Sequence, residues 1–254
     1  MFCEQQESRA VTKTPEELLS LRFGGATVAE NLKQAIESGQ IIEHADGTLE
    51  LRRIPNLHHW IDVPYGPQLG CQFSKHFAFP SVYARSAVPY GCRECYKVKV
   101  APRTLRELVA AWQIAKRIAC RSKWGIDFDN RYSEDFYAGY FYASGLEAAR
   151  TIYKVVRQAF DSDPKLGAGL PMRIKRGCSV YEAALGPSDR YEFTPEMKEL
   201  EDYLKSRFRK REREKRLHGV LVEWIDCAFR RGDQTYLDFT GGKRLRPASM
   251  SYDP

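Results

Sequence analysis

The strongest chemical signal in the chain is a set of four cysteines. Three follow a glycine, in Gly70-Cys71, Gly91-Cys92 and Gly177-Cys178, and Cys95 completes the run Cys92-Arg93-Glu94-Cys95. A C-x2-C turn directs two sulfurs to one side, so that both thiolates can hold one ion. Glycine beside such a ligand lets backbone N–H groups approach a sulfur that carries negative charge. All-thiolate ligation suits an iron–sulfur cluster or zinc. The wide spacing and the aromatic neighbours Phe73, Phe77, Phe79, Tyr90 and Tyr96 favour a [4Fe–4S] cluster held by Cys71, Cys92, Cys95 and Cys178, with zinc as the alternative. A second C-x2-C pair at zinc-finger spacing is absent, and two ordinary thiols in a turn would give the same local sequence. His58, His59 and His76 share the segment and could replace Cys71, although a lone histidine is more often a packing residue. Cys120 and Cys227 fall inside helical patterns and read as small buried side chains, while Cys3 stands apart from all of these.

For these sulfurs to share an ion, the fold must gather residues 71, 92–95 and 178. Tyr96–Val100 alternates as a strand, and Thr104-Leu105-Arg106-Glu107 is a capping box that opens a helix carrying Leu105, Leu108, Val109, Trp112 and Ala119. Trp124–Phe128 and Tyr137–Ala143 read as strands. Ser144 and Glu147 suggest a second capping box, followed by Leu146, Ala149, Ile152, Tyr153, Val156 and Phe160 at helical spacing, and Met172–Arg176 alternates again. The order β-α-β-β-α-β is the ferredoxin-like arrangement. In it the fourth strand lies antiparallel beside the first, so Cys178, just past the fourth, meets Cys92 and Cys95, just before the first. Cys71 sits on the stretch Pro55–Pro89, which shows no clean period and reads as irregular.

Flanking elements complete the expectation. Thr14-Pro15-Glu16-Glu17 starts a helix, Thr27–Glu37 forms another, and residues 41–54 pair as a hairpin about Asp46-Gly47. Thr194-Pro195-Glu196 opens a C-terminal helical region in which Leu217, Val220, Leu221, Trp224, Ile225 and Phe229 make one apolar stripe. The fold class is therefore α+β: a ferredoxin-like core over residues 91–187, with helical extensions over 1–90 and 188–254.

Strand parity adds a second candidate site. If Val98 and Val100 face the helices, Lys97 and Lys99 point away, and by the same rule Arg173 and Lys175 join them. The third strand contributes Tyr140 and Tyr142, or Tyr137 and Phe141 in the other register. Cations flanking rings on an open sheet suit single-stranded RNA, since charge holds phosphate and rings stack on bases. The run Ala138–Ala143 resembles the aromatic strand of an RNA-recognition motif without the rest of that signature, so the chain is not assigned to that family. The C-terminal helix could instead cover this face. The densest positive run, Lys205–Arg216, includes Arg209, Lys210 and Arg211; it reads as a solvated helix or as a contact for nucleic acid or an acidic protein. Asp127, Asp129, Glu134 and Asp135 form an acidic turn that could hold a cation and reads more simply as solvated.

Composition bounds the remaining choices. Hydrophobic residues make up 43% of 254, enough for a core and against global disorder. No apolar run reaches the roughly 18–20 residues of a membrane span, and the N-terminal residues lack the pattern of a secretory leader, so a cytoplasmic setting is expected. Seven cysteines there read as thiols or ligands rather than as disulfides. The common phosphate-loop, nucleophile-elbow and zinc-protease motifs are missing, and so is the C-x3-C-x2-C triad of cluster-based S-adenosylmethionine chemistry. No general acid or base is nominated, and whether the chain is an enzyme is left open. Two functions follow: a cysteine-ligated metal protein acting in electron transfer, cofactor handling or a larger complex, or a nucleic-acid-binding protein with a structural zinc site.

Overall fold

The computed structural model describes residues 13–53, 59–66, 70–127, 135–210 and 217–246. The fold is mixed α+β, and the chain forms two compact units. Among the described residues no helix is long and apolar enough to cross a membrane.

The first unit draws on the segments Met1–Pro55, Leu69–Arg93 and Ala184–Glu212. Its helices Pro15–Ser20 and Val28–Glu37 begin with reciprocal capping boxes, Thr14 with Glu17 and Thr27 with Glu30. The hairpin Ile41–Glu43 and Leu49–Leu51 forms as expected, and Phe208–Arg209, at the end of the helix Pro195–Arg207, adds to it in parallel. The stretch expected to be irregular holds an 11-residue π-helix, Gln72–Val82. Its buried Phe73, Phe77, Ala78 and Val82 recur four and five residues apart, a repeat that neither the α-helical nor the strand period matches. They pack with Leu32, Leu49, Leu200 and Leu204 in one core. Glu201, buried within this unit, anchors the following loop. It accepts the Tyr83 hydroxyl at 2.9 Å, the Gly91 N–H at 3.0 Å and the Tyr90 N–H, and Lys205 stands 3.6 Å away. Burial outweighs these donors and leaves its carboxyl above the ordinary range.

The second unit draws on Asn56–Gln68, Glu94–Ala183 and Arg213–Pro254 and carries the sheet. Its elements are β1 (Trp60–Val63), β2 (Cys95–Val100), α1 (Leu105–Ala115), β3 (Ser122–Ile126), β4 (Tyr137–Ser144), α2 (Leu146–Asp161), β5 (Met172–Arg176), α3 (Ser179–Leu185) and α4 (Leu217–Arg231). The five strands lie in the order β1-β3-β4-β2-β5, and every neighbouring pair is antiparallel. Strand β1 was not expected: only four residues of alternation mark it, with Ile61 and Val63 in the core and Trp60 and Asp62 on the other face. Val98, Val100, Trp124, Ile126 and Phe141 face the core and pack with Leu105, Leu108, Val156 and Phe160 from α1 and α2.

Helix starts differ in detail from the sequence reading. At α1, Thr104 accepts the Glu107 N–H, but the Glu107 carboxylate takes the Arg103 N–H, so only half of the box forms. At α2, Ser144 ends the strand and Gly145, at φ +88°, is the capping residue without a side-chain acceptor. The chain must turn sharply there, which glycine allows. Ala119 lies past the end of α1 and is exposed. Helix α4 packs on α1, with Trp224 edge-on to Trp112 at 6.0 Å and its Nε1–H donated to the His59 carbonyl at 2.8 Å. It thus shares the Val98 core instead of covering the Lys97 face.

Trp124 sets a strict demand on β4. Its indole is fully buried against Phe141 and Phe160, and a Cβ at Gly139 would stand 2.2 Å from its Cζ3. Gly139→Ala should therefore cost about 1–3 kcal/mol through overpacking, read as a lower urea midpoint. An unchanged midpoint would mean that the indole is not seated on this strand.

Candidate functional site

Antiparallel register brings five side chains of the second unit into one row across the face of the sheet opposite its hydrophobic core: Asp62, Lys123, Tyr140, Lys99 and Arg173. A second row holds Tyr142, Lys97 and Lys175. The expected cations Lys97, Lys99, Arg173 and Lys175 are thus on one face, and of the two registers left open for the third strand, the one presenting Tyr140 and Tyr142 is adopted. Tyr137 and Phe141 are buried on the core side. Trp60, on the edge strand opposite Gly125, adds a third ring, 5.8 Å from that of Tyr140.

The cations lie against the rings. Lys97 Nζ is 5.5 Å from the Tyr142 centroid and 5.8 Å from that of Tyr140, Lys99 Nζ is 5.9 Å from Tyr140, and Lys123 Nζ is 4.1 Å from Trp60. Their exposure is graded: Lys99 is 3% and Lys97 7% exposed, Lys123 is half-buried, and the Arg173 side chain is 57% exposed. Buried ammonium groups require partners. Lys99 Nζ reaches Asp135 Oδ2 at 2.7 Å, and Arg173 reaches the same oxygen at 3.0 Å. Lys175 Nζ donates to Ser179 Oγ at 2.8 Å and Glu182 Oε2 at 2.7 Å, both at the start of α3. The Tyr140 hydroxyl donates to Asp127 at 3.1 Å, and burial together with that carboxylate raises its pKa above the usual phenol range.

Lys97 has a sulfur for a partner. Its Nζ donates to Cys178 Sγ at 3.0 Å. Burial, the largest influence, favours the neutral amine, but Cys178, Tyr142 and Cys95 outweigh it and raise the Lys97 pKa well above the ordinary lysine range. Lys175 moves the other way: burial lowers it, Glu182 opposes this, and the neighbouring Lys97 charge adds to the lowering.

The sequence-predicted ligands divide between the two units. Cys95 opens β2, Cys178 follows β5, and the Gly177 N–H donates to the Cys95 carbonyl at 2.8 Å, so these two residues arrive at one end of the sheet as the topology required. Cys71, before the π-helix, and the buried Cys92 belong to the first unit. Among the described residues no group of three or more His, Cys, Asp or Glu is arranged to hold a metal ion. Cys120 and Cys227 are both buried as expected, but only Cys227 lies in a helix, α4, while Cys120 falls past the end of α1; burial raises both thiol pKa values, and Glu223 and Asp226 help push Cys227 up to about 11. His59 Nδ1 stands 3.4 Å from Glu223, and His76 lies half-buried in the π-helix. Arg209 pairs with Asp46 at 2.6 Å and Lys210 is exposed. Cys3, His58, Asp129, Glu134 and Arg211 lie outside the described residues. Sequence reasoning missed Trp60, Asp62, Lys123 and Glu182. The alternation of Trp60–Val63, and the place of Lys123 between the core-facing Ser122 and Trp124, were the available signals.

Asp135 holds two cations at once. Burial alone would raise its pKa, but the hydrogen bond and charge of Lys99, and then Arg173, hold it below the ordinary aspartate range. A carboxyl depressed by folding contributes stability above its unfolded pKa and loses it as pH falls through the folded value. Stability should therefore drop on acidification from about pH 5 to about pH 3, and Asp135→Asn should flatten that drop while costing roughly 1–3 kcal/mol at neutral pH, both measured by thermal unfolding. No protein-family model, curated protein or solved structure matches this chain, so its function has to be argued from the site itself.

Proposed function

We propose that the face of this sheet opposite its hydrophobic core binds single-stranded nucleic acid along its solvent-reaching groups, on a core, β2-α1-β3-β4-α2-β5, that is ferredoxin-like. The observation that carries this reading is the cross-strand row Lys123, Tyr140, Lys99 and Arg173, flanked by Trp60. Rings with π-faces accept any base, and cations beside them hold the phosphates between bases. The graded exposure divides the work. Arg173 and Lys123 reach solvent and contact phosphate, while Lys97 and Lys99, deep in the sheet, add positive potential to the tyrosines without touching the ligand. Arg209 and Lys210, at the end of a helix of the first unit, are a separate basic patch and are not needed for this site.

Neutralising the two outer cations tests the proposal. Arg173→Gln combined with Lys123→Gln should weaken binding of a fluorescein-labelled oligouridylate about tenfold or more and make the log-affinity against log-salt line shallower by about 1–2. Fluorescence anisotropy at low and moderate salt reads both. Absence of binding by the native chain at about 50 mM salt, or an unchanged slope in the double variant, would overturn it.

A second reading, a thiolate-held [4Fe–4S] or zinc centre, is favoured by the arrival of Cys95 and Cys178 at one end of the sheet. On this reading anaerobically purified protein contains close to stoichiometric iron with sulfide, or zinc, and Cys178→Ser lowers that content while Cys227→Ser does not. Metal content at background in the native chain would remove it.

A further inference from the structure

The chain has four tryptophans. Trp124 and Trp224 are 0% exposed and Trp112 is 6% exposed; Trp60 is partly open, on the same face as Tyr140 and the cations. Of the four indoles it alone is within reach of a ligand on that face, which asks what role its position gives it.

Its posture supplies one. A Cβ placed on Gly125, its cross-strand partner, would stand 2.0 Å from the His59 carbonyl oxygen and 2.9 Å from Trp60 Cδ2 and Cε3. The indole therefore passes close over the β3 backbone at Gly125, where glycine leaves room first for the His59 carbonyl and then for the ring. A ring held over the backbone with cations beside it offers a surface on which a base can stack. Lys123 Nζ, 4.1 Å from the ring centroid, belongs to the same row as Tyr140 and Arg173. An ammonium over an exposed ring is held weakly and can exchange that contact for a phosphate when a base takes the ring.

We infer that Trp60 is a stacking platform for one unpaired base of a single strand, with Lys123 placed for the adjoining phosphate. This rests on the nucleic-acid reading and adds to it the unexpected edge strand, extending the platform formed by Tyr140 across β3 to β1. Because stacking needs a free π-face, the ligand is a single strand and not a duplex, whose bases already stack on one another.

The test uses the full chain with an oligouridylate and an oligothymidylate of about ten nucleotides, plus the corresponding duplex as competitor. Binding should quench tryptophan emission, and the signal is attributable because the other three indoles are buried. Trp60→Leu should abolish the quench and weaken anisotropy-measured affinity about tenfold to a hundredfold, while Trp60→Phe should retain most of the affinity. Unfolding midpoints of both variants guard against a loss of fold, and the quench in the native chain stands independently of any variant. Binding without a change in emission, affinity indifferent to Trp60→Leu, or equal preference for duplex would overturn the role of Trp60 while leaving a nucleic-acid interface in place. Failure of every single strand to bind would overturn both.

Discussion

Strand β2 is hydrogen-bonded on both sides, to β4 and to β5, and its sequence alternates without a break. Val98 and Val100 can be dry only if Lys97 and Lys99 point the other way. A slip of one residue would drive two ammonium groups among Trp124, Phe141 and Phe160 and put two valines in their place. Burying an unpaired charge costs several kcal/mol even after relaxation, so the hydrophobic core fixes the register, and the register fixes the chemistry of the opposite face. The tyrosines follow from the same constraint: with Phe141 in the core, Tyr140 and Tyr142 must lie beside the lysines.

Such a face then has to solve an electrostatic problem of its own. Lys97, Lys99, Arg173 and Lys175 occupy adjacent strand positions, and like charges directly opposite one another destabilise a sheet. Three remedies serve the four cations. Asp135 bridges Lys99 and Arg173, Glu182 meets Lys175 from the first turn of α3, and Lys97 lies among tyrosine rings and the Cys178 sulfur. The pKa directions of Lys97 and Lys175 differ because their surroundings do: Cys178, Tyr142 and Cys95 overcome burial at Lys97, whereas burial prevails at Lys175, with the Lys97 charge adding to the lowering. Fixed positive groups held in a partly dry setting attract an anion more strongly than the same groups in water would.

Much of this was legible before any coordinates. The capping boxes at Thr14 and Thr27 placed helices because capping chemistry is local, and the alternation of Tyr96–Val100 and Met172–Arg176 placed strands because the two-residue period of a pleat is strict. The candidate cations were legible for the same reason. Residues 59–83 were opaque on three counts. A π-helix repeats at a spacing that neither search template fits, Pro80 within it reads as a helix breaker, and four residues are too few for the alternation of β1 to stand out. Trp60 was hidden with that strand. Ser144 misled because a serine three residues before a glutamate has the local pattern of a cap, whereas pairing with Cys95 keeps it in the strand. The gathering of Cys95 and Cys178 was deducible from strand order, since that part of the argument is topological.

The thiol pair and Trp60 stand at opposite edges of one sheet, which decides how the two candidate chemistries relate. Cys178 follows β5, whereas Trp60 belongs to β1, four inter-strand spacings away, or about 19 Å at the usual separation. Lys97 lies near the thiol edge and is shared by both: its ammonium can neutralise thiolate charge or add to the potential felt by a phosphate. It therefore favours anions of either kind. The outer groups carry the distinction, because a thiolate centre makes no demand on an indole at the far edge of the sheet, or on Arg173, which lies on β5 itself with its guanidinium exposed beside Asp135. A single strand laid along the row from Trp60 to Arg173 makes a demand on both.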